Sequence, residues 1–204
     1  MKKSVFTRIL ATAAAAAMLA VSVGCGGGGS SSDTGTKEDN SLQAVLDSKK
    51  FILGLDATFK PMGYTDENDE IVGFDIDVAE EVCKRMGVEL VKQPINWETK
   101  EEDLKAGRID CIWNGMTISD EVLKNTECSD PYVRNEQVVV MKKDEISKYS
   151  DVESMKGLKF SVESASAGEA AAKGVEFNVV AVGAQSDALM EVQSGSVDAC
   201  VIDS

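Results

Sequence analysis

The sequence predicts an α/β fold with mostly parallel sheets, and three features point to it. Short apolar runs alternate with stretches whose apolar residues recur at three-to-four spacing, as strands alternating with helices do. The helical stretches open on capping residues and close on glycine. Leu104-Lys-Ala-Gly107-Arg-Ile109-Asp110 is echoed 88 residues later by Val192-Gln-Ser-Gly195-Ser-Val197-Asp198. Each copy is a helix ending on glycine before an apolar strand beside an aspartate. This repeat predicts two similar α/β lobes rather than one continuous sheet; the competing reading is chance similarity between two helix–strand junctions.

Taken in order, Phe51-Ile-Leu-Gly-Leu55 is a short apolar run and reads as a buried strand. Ile71 to Phe74 is a second extended run after the polar turn Asp66–Glu70. That turn lacks the glycine and closing glutamate of a calcium loop, so it reads as solvated. A helix follows, with Val78, Ala79, Val82, Cys83 and Met86 on one face, Asp77 and Glu80 near its positive end and Gly87 at its close. Thr99-Lys-Glu-Glu102 has the form of a capping box, so the next helix is expected to start there and end at Gly107. Further strands are expected at Ile109–Met116, Gln137–Met141, Leu158–Val162, Asn178–Val182 and Val197–Ile202. Ser166-Ala-Gly-Glu169 is again a capping box, opening a helix that Gly174 closes; Ser186 is expected to cap a helix ending at Gly195.

The first forty residues read as something other than fold. Met1 to Arg8 is basic and Ile9 to Val23 is an apolar run of 15 residues, short for a membrane span. A basic start, a short apolar middle and small residues at the end form a secretory signal, expected over residues 1–24. Residues 25–40, Cys25 followed by a Gly/Ser-rich stretch, lack the apolar surface to order themselves and read as a tether.

Composition excludes several functions. The 204 residues carry 21 Lys+Arg against 35 Asp+Glu, a formal charge of −14, with no histidine. Phosphate binding needs a cationic face, so a nucleic-acid partner is not expected. Without histidine there is no Ser-His-Asp or Cys-His catalysis, and the commonest zinc ligand is missing. No cofactor and no metal are expected. Cys83, Cys111, Cys128 and Cys200 fall mainly in apolar settings and read as free cysteines acting as small hydrophobes. Asp110 and Asp198 read as local capping or turn residues.

In open α/β sheets, ligands sit beyond the carboxyl ends of strands. Here those ends are Asp56-Ala-Thr58-Phe59, Asn114-Gly-Met-Thr117, Ser164-Ala-Ser166 and Asp203. They supply carboxylates, hydroxyls, an amide, an aromatic ring and, at Ser166, a helix start whose N–H groups can hold an anion. The set suits a small zwitterion and contains no nucleophile beside a base.

Five segments recur in one order: Gly54-Leu-Asp-Ala-Thr-Phe-Lys-Pro-Met-Gly63, Val72-Gly-Phe-Asp-Ile-Asp-Val-Ala-Glu80, Gly107-Arg-Ile-Asp-Cys-Ile-Trp-Asn-Gly-Met-Thr-Ile118, Ser129-Asp-Pro-Tyr132 and Gln137-Val-Val-Val140. Together they resemble the family 3 extracellular solute-binding proteins, receptors of ABC importers for polar amino acids, from about Phe51 to the last residue. The resemblance implies a two-lobed type II periplasmic-binding-protein fold, with lobe I at 41–137, a hinge strand at 138–142 and lobe II at 143–204. It implies a polar amino acid clamped between lobes, with Phe59 and Trp97 as aromatic walls, Asn114, Gly115, Met116 and Thr117 at the ligand carboxylate, and Ser166 and Ala167 at a helix start. Asp203 would hold the ligand ammonium, and Asp56 would contact its side chain. Val21-Ser-Val-Gly-Cys25 resembles a lipobox, with Ser22 where leucine is usual, implying lipidation of Cys25 and a bacterial, extracytoplasmic protein held at the membrane by its lipid. The implied partners are an ABC permease and its ATPase, with the receptor a monomer.

The chain departs from the family pattern in two places. Val122 stands where an arginine pairs with the ligand carboxylate, which predicts weak or altered binding of plain α-amino acids unless Lys124 or Arg134 substitutes. The family pattern also continues past Ser204, so a fragment or truncated frame is expected, with apolar edges left exposed. Two alternatives accompany the receptor. One is an enzyme on the same scaffold, like the cyclohexadienyl dehydratases, with Glu163 as its acid; the other is a sensor module cut from a larger receptor. Trp113 reads equally as core or as ligand wall.

Overall fold

The computed structural model describes residues 39–204, so Cys25 and most of the tether lie outside the described residues. Helix α1 (Ser41–Ser48) leads into strand β1 (Lys50–Leu55), whose inner residues Leu53 and Leu55 are fully buried. Three short strands, β2 (Thr58–Phe59), β3 (Gly63–Thr65) and β4 (Ile71–Val72), form a small antiparallel sheet. The Asp66–Glu70 turn between β3 and β4 consumes its own carboxylate: Asp66 Oδ1 accepts from the N–H groups of Asn68 and Glu70.

Helix α2 (Phe74–Met86) follows directly, one turn earlier than the apolar spacing implied, and ends on Gly87 in the left-handed region. Ile76 and Ala79 of α2 pack on Leu53 and Leu55. Cys83 is buried as well, while Val78, Val82 and Met86 are half-buried. Strand β5 (Glu89–Pro94) pairs parallel with β1, and Lys92 within it donates to Glu80 Oε1 and the Ile71 carbonyl. A 3₁₀ turn at Trp97–Thr99 runs into helix α3 (Lys100–Lys105), and strand β6 (Cys111–Ile112) pairs parallel with β1 on its other side. The first main sheet is thus β5-β1-β6.

Helix α4 (Asp120–Asn125), capped by Ser119 Oγ accepting from Val122 N, precedes strand β7 (Gln137–Met141). Strand β8 (Lys159–Glu163), helix α5 (Ala167–Gly174), strand β9 (Asn178–Val182), helix α6 (Gln185–Ser194) and strand β10 (Ala199–Asp203) complete the described chain. They form a sheet ordered β7-β10-β8-β9, parallel except that β7 runs antiparallel to β10. Alternation along β10 sends Ala199 and Val201 to a core with Phe160, Val162, Ala172 and Phe177, and Cys200 to one with Ala188, Val192 and Val197. Phe160 and Phe177 stack with ring centroids 4.0 Å apart.

Several expectations are corrected. The strand expected over Ile109–Met116 is only Cys111–Ile112; beyond it Trp113 packs on the core while Asn114, Gly115 and Met116 turn to a cavity instead of pairing. Thr99 forms no capping bond, since its hydroxyl turns to the Asn96 carbonyl, and Asn96 caps the preceding turn by accepting from Glu98 N. Helix α6 is preceded by Ala184 rather than capped by Ser186, which lies in its first turn. Trp113 belongs to the core: it packs against the Leu53 cluster and meets Tyr132 edge-on at 6.3 Å. Asp110 and Asp198 are not local caps but ties to strands distant in sequence: Asp110 Oδ2 accepts from Ile52 N in β1 and Asp198 Oδ2 from Lys159 N at the start of β8. Cys83, Cys111, Cys128 and Cys200 are free.

Candidate functional site

Strand ends from both main sheets converge on one cavity of about 700 Å³. From the first half come Asp56 and Phe59 beyond β1, Trp97 in the turn before α3, and Asn114, Gly115, Met116 and Thr117 beyond β6. From the second half come Ser166 and Ala167 at the start of α5 and Asp203 at the end of β10. The structure therefore brings together all ten residues singled out from the sequence.

Each is positioned by local chemistry. Asp56 is fixed by Thr58, whose N–H and hydroxyl both donate to its Oδ1. Gly115 has φ +61°, where a side chain is strained, and a Cβ there would meet Met62 and Phe59 at 3.4 and 3.5 Å. The Gly115 N–H donates to the Tyr132 hydroxyl at 3.1 Å, and that hydroxyl donates to Asp75 Oδ1 at 2.8 Å. Burial pushes the Asp75 carboxyl up from its usual range, against hydrogen bonding from Tyr132. Trp113 Nε1 lies beside the same carboxyl without full hydrogen-bond geometry, leaving Asp75 Oδ2 unpartnered. Ser166 caps α5 through Oγ, which accepts from Glu169 N. Gly168 lets α5 approach β10: a Cβ there would lie 2.7 Å from the Val201 carbonyl. Asp203 is held by three amide side chains, Asn135 and Gln137 donating to Oδ1 and Gln185 to Oδ2.

Fourteen of the lining residues were not among those ten, and four of them bear most on the chemistry of the cavity. Lys100 is buried, its Nζ donating to the carbonyls of Trp97 at 3.0 Å and Ala165 at 3.2 Å and lying 4.7 Å from the centre of the Trp97 ring. Glu163, considered from sequence only as an acid, is 3% exposed with Oε1 unpartnered. Burial, then the neighbouring Asp56 carboxylate, push its carboxyl up to about 7. Gln137 and Gln185 complete the set; the strand-end rule that found Asp203 would also have found Gln185, which opens α6 three residues beyond β9. Val122 is buried on the cavity wall, whereas Lys124 and Arg134 are exposed and do not line it, and Arg134 pairs with Glu136.

A cavity gathering polar groups from two α/β halves at their strand ends lies where such sheets hold small ligands. Residues 51–156 match the family model described as bacterial extracellular solute-binding proteins, family 3, and the chain belongs to that family. It is 36% identical over 111 residues to the arginine-binding extracellular protein ArtP of Bacillus subtilis, covering 54% of this chain and 41% of that one. It is 29% identical over 153 residues to the ABC transporter arginine-binding protein 1 of Escherichia coli, covering 74% of this chain and 62% of that one. The chain thus spans roughly half the length of these curated relatives. A solved ancestral amino acid-binding protein, described as a precursor of cyclohexadienyl dehydratase, superposes with a TM-score of 0.77 at 32% identity, covering 80% of this chain and 74% of that one.

Proposed function

We propose that this chain is the capturing component of an ABC importer, holding a small polar solute of the amino-acid class between its two halves for delivery to a permease and its ATPase. The observation that carries this reading is the convergence of strand ends from both sheets on one cavity with buried polar groups awaiting partners. In this reading the ten residues from Asp56 to Asp203 contact the ligand, lobe I spans 41–137, residues 138–142 are the hinge strand, and lobe II spans 143–204. Strand β7 supports that boundary, since it joins the second sheet at its edge. The receptor works outside the cytoplasm as a monomer, with Cys25 lipidated as its anchor; none of the described helices is long and apolar enough to cross a membrane.

Tryptophan fluorescence tests the reading, because Trp97 lines the cavity. Titration with the common amino acids, cystine and the corresponding amines should give a saturable change with at least one, lost in Trp97→Phe. A flat response to the whole panel from a cooperatively folded sample overturns the reading. The buried Glu163, with its carboxyl pushed up to about 7, favours a second reading as a general acid on the same scaffold. Turnover of prephenate or arogenate would establish that reading in place of the first.

A further inference from the structure

The cavity wall is unbalanced in charge. Eight acidic side chains line it against two lysines, Lys100 and Lys173. Neither lysine is free among the described residues. Lys100 spends its ammonium on two carbonyls and the Trp97 ring. Lys173 is mostly exposed and pairs with Glu169 at 2.8 Å. Three carboxylates neighbour one another on the wall: Asp56, Asp203 and Glu163, the last almost fully buried with Oε1 lacking any hydrogen-bond partner. A buried carboxylate oxygen without a donor is costly, and a bound cation removes that cost.

The wall offers a ligand carboxylate little. At Val122 it is aliphatic. Beside the start of α5, whose N–H groups would otherwise favour an anion, stands the Glu169 carboxylate, its Oε2 accepting from Ala165 N at 2.9 Å and its Oε1 paired with Lys173. A ligand carboxylate there would face a like charge.

We propose that the cavity selects a cationic amine or guanidine that carries no carboxylate. Its charged nitrogen is shared among Asp56, Glu163 and Asp203, and its carbon chain lies against the apolar wall of Phe59, Trp97 and Val122. This proposal rests on the reading of the cavity as the ligand site and narrows its ligand from the amino-acid class to the decarboxylated counterparts.

Calorimetric titration with three matched pairs tests it: arginine and agmatine, lysine and cadaverine, ornithine and putrescine. Within each pair the carboxylate is the only difference. The amine should bind at least tenfold more tightly than its amino acid in the best-binding pair. Glu163→Gln should weaken that amine at least tenfold at pH 8 while keeping the melting temperature within a few degrees, and Val122→Arg should narrow the ratio within the pair. An amino acid that binds as tightly as its amine, or a neutral or acidic amino acid that binds when all three amines do not, overturns the proposal and leaves the receptor reading standing. If nothing in either panel binds to folded protein, both fall. The wild-type comparison within pairs stands even if a variant fails to fold.

Discussion

Lys100 and Ala165 are joined across the cavity: the lysine Nζ at the start of α3 donates to the Ala165 carbonyl in the loop between β8 and α5, at 3.2 Å. Ala165 holds that carbonyl in place from the left-handed region, at φ 55°. One ammonium therefore ties the first half of the molecule to the second. Lys100→Met keeps the length of the stem and removes the tie, leaving two carbonyls without this donor. The urea midpoint should fall by an amount corresponding to about 1–3 kcal/mol, and scattering should show a larger radius of gyration if the bond holds the halves together. An unchanged midpoint would mean that water replaces the ammonium at no cost.

Stability should depend on pH through Glu163. Its carboxyl is pushed up to about 7 from an ordinary 4.5, by burial first and then by Asp56. The folded protein holds this proton more tightly than the unfolded chain does, so stability is greatest below about 4.5 and declines as pH rises through about 7. The decline attributable to this group is at most about 3 kcal/mol. Glu163→Gln should flatten this part of the profile in denaturant melts at pH 5 and pH 8. A bound cation reverses the preference, because it favours the ionised form, so the affinity for an amine should rise between pH 6 and pH 8.

Tyr132→Phe removes the hydroxyl that gives its proton to Asp75 and takes one from Gly115 N. Asp75 is fully buried and its Oδ2 already lacks a partner. The loss should cost about 1–3 kcal/mol, read as a lower melting temperature. It should also weaken ligand binding at a distance, because Gly115 lines the cavity and is held by this bond. A variant that melts early but binds with unchanged affinity would limit Tyr132 to a structural role.

The aspartates of the internal repeat do the same work in the two sheets. Asp110 and Ile52 exchange backbone and side-chain hydrogen bonds at the start of β1, and Asp198 and Lys159 do so at the start of β8. Asp110→Ala and Asp198→Ala should each destabilise the protein by about 1.5–3 kcal/mol, as expected for a bond to a charged acceptor. They lie in separate sheets with no shared partner, so the double variant should be additive. A coupling above about 0.5 kcal/mol would mean that the sheets stiffen one another.

This repeat also shows what was legible in the sequence. Strands β1, β7, β8 and β9 lie within two residues of where their apolar, β-branched runs place them, because each packs several apolar residues on a core and leaves an uninterrupted signal. Strand β5 was missed because Lys92 and its polar neighbours interrupt the run, and an edge strand tolerates that. Helix α4, at six residues, is too short to show periodicity. The strand-end residues of the cavity could be named because where strands stop is written locally. The role of Lys100 could not, since a lysine in a charged helix reads as surface until the opposite half is seen to cover it.

The three amides gathered on Asp203 have a further consequence. Asn135 and Gln137, two residues apart at the entry to β7, and Gln185 at the start of α6 fill three of the roughly four acceptor positions of the carboxylate. One acceptor position, on Oδ2, stays open, and any further donor reaches Asp203 only by exchange. A neutral amide or hydroxyl would replace a donor of its own strength and gain nothing, whereas a charged donor forms a bond roughly twice as strong. The resident amides thus set a threshold beyond the first contact: Asp203 favours solutes that bring a strong, charged donor, and uncharged solutes fail to displace the amides already there. Asp203→Asn should erase that threshold, and calorimetry against neutral and cationic solutes of equal size would show the discrimination disappear.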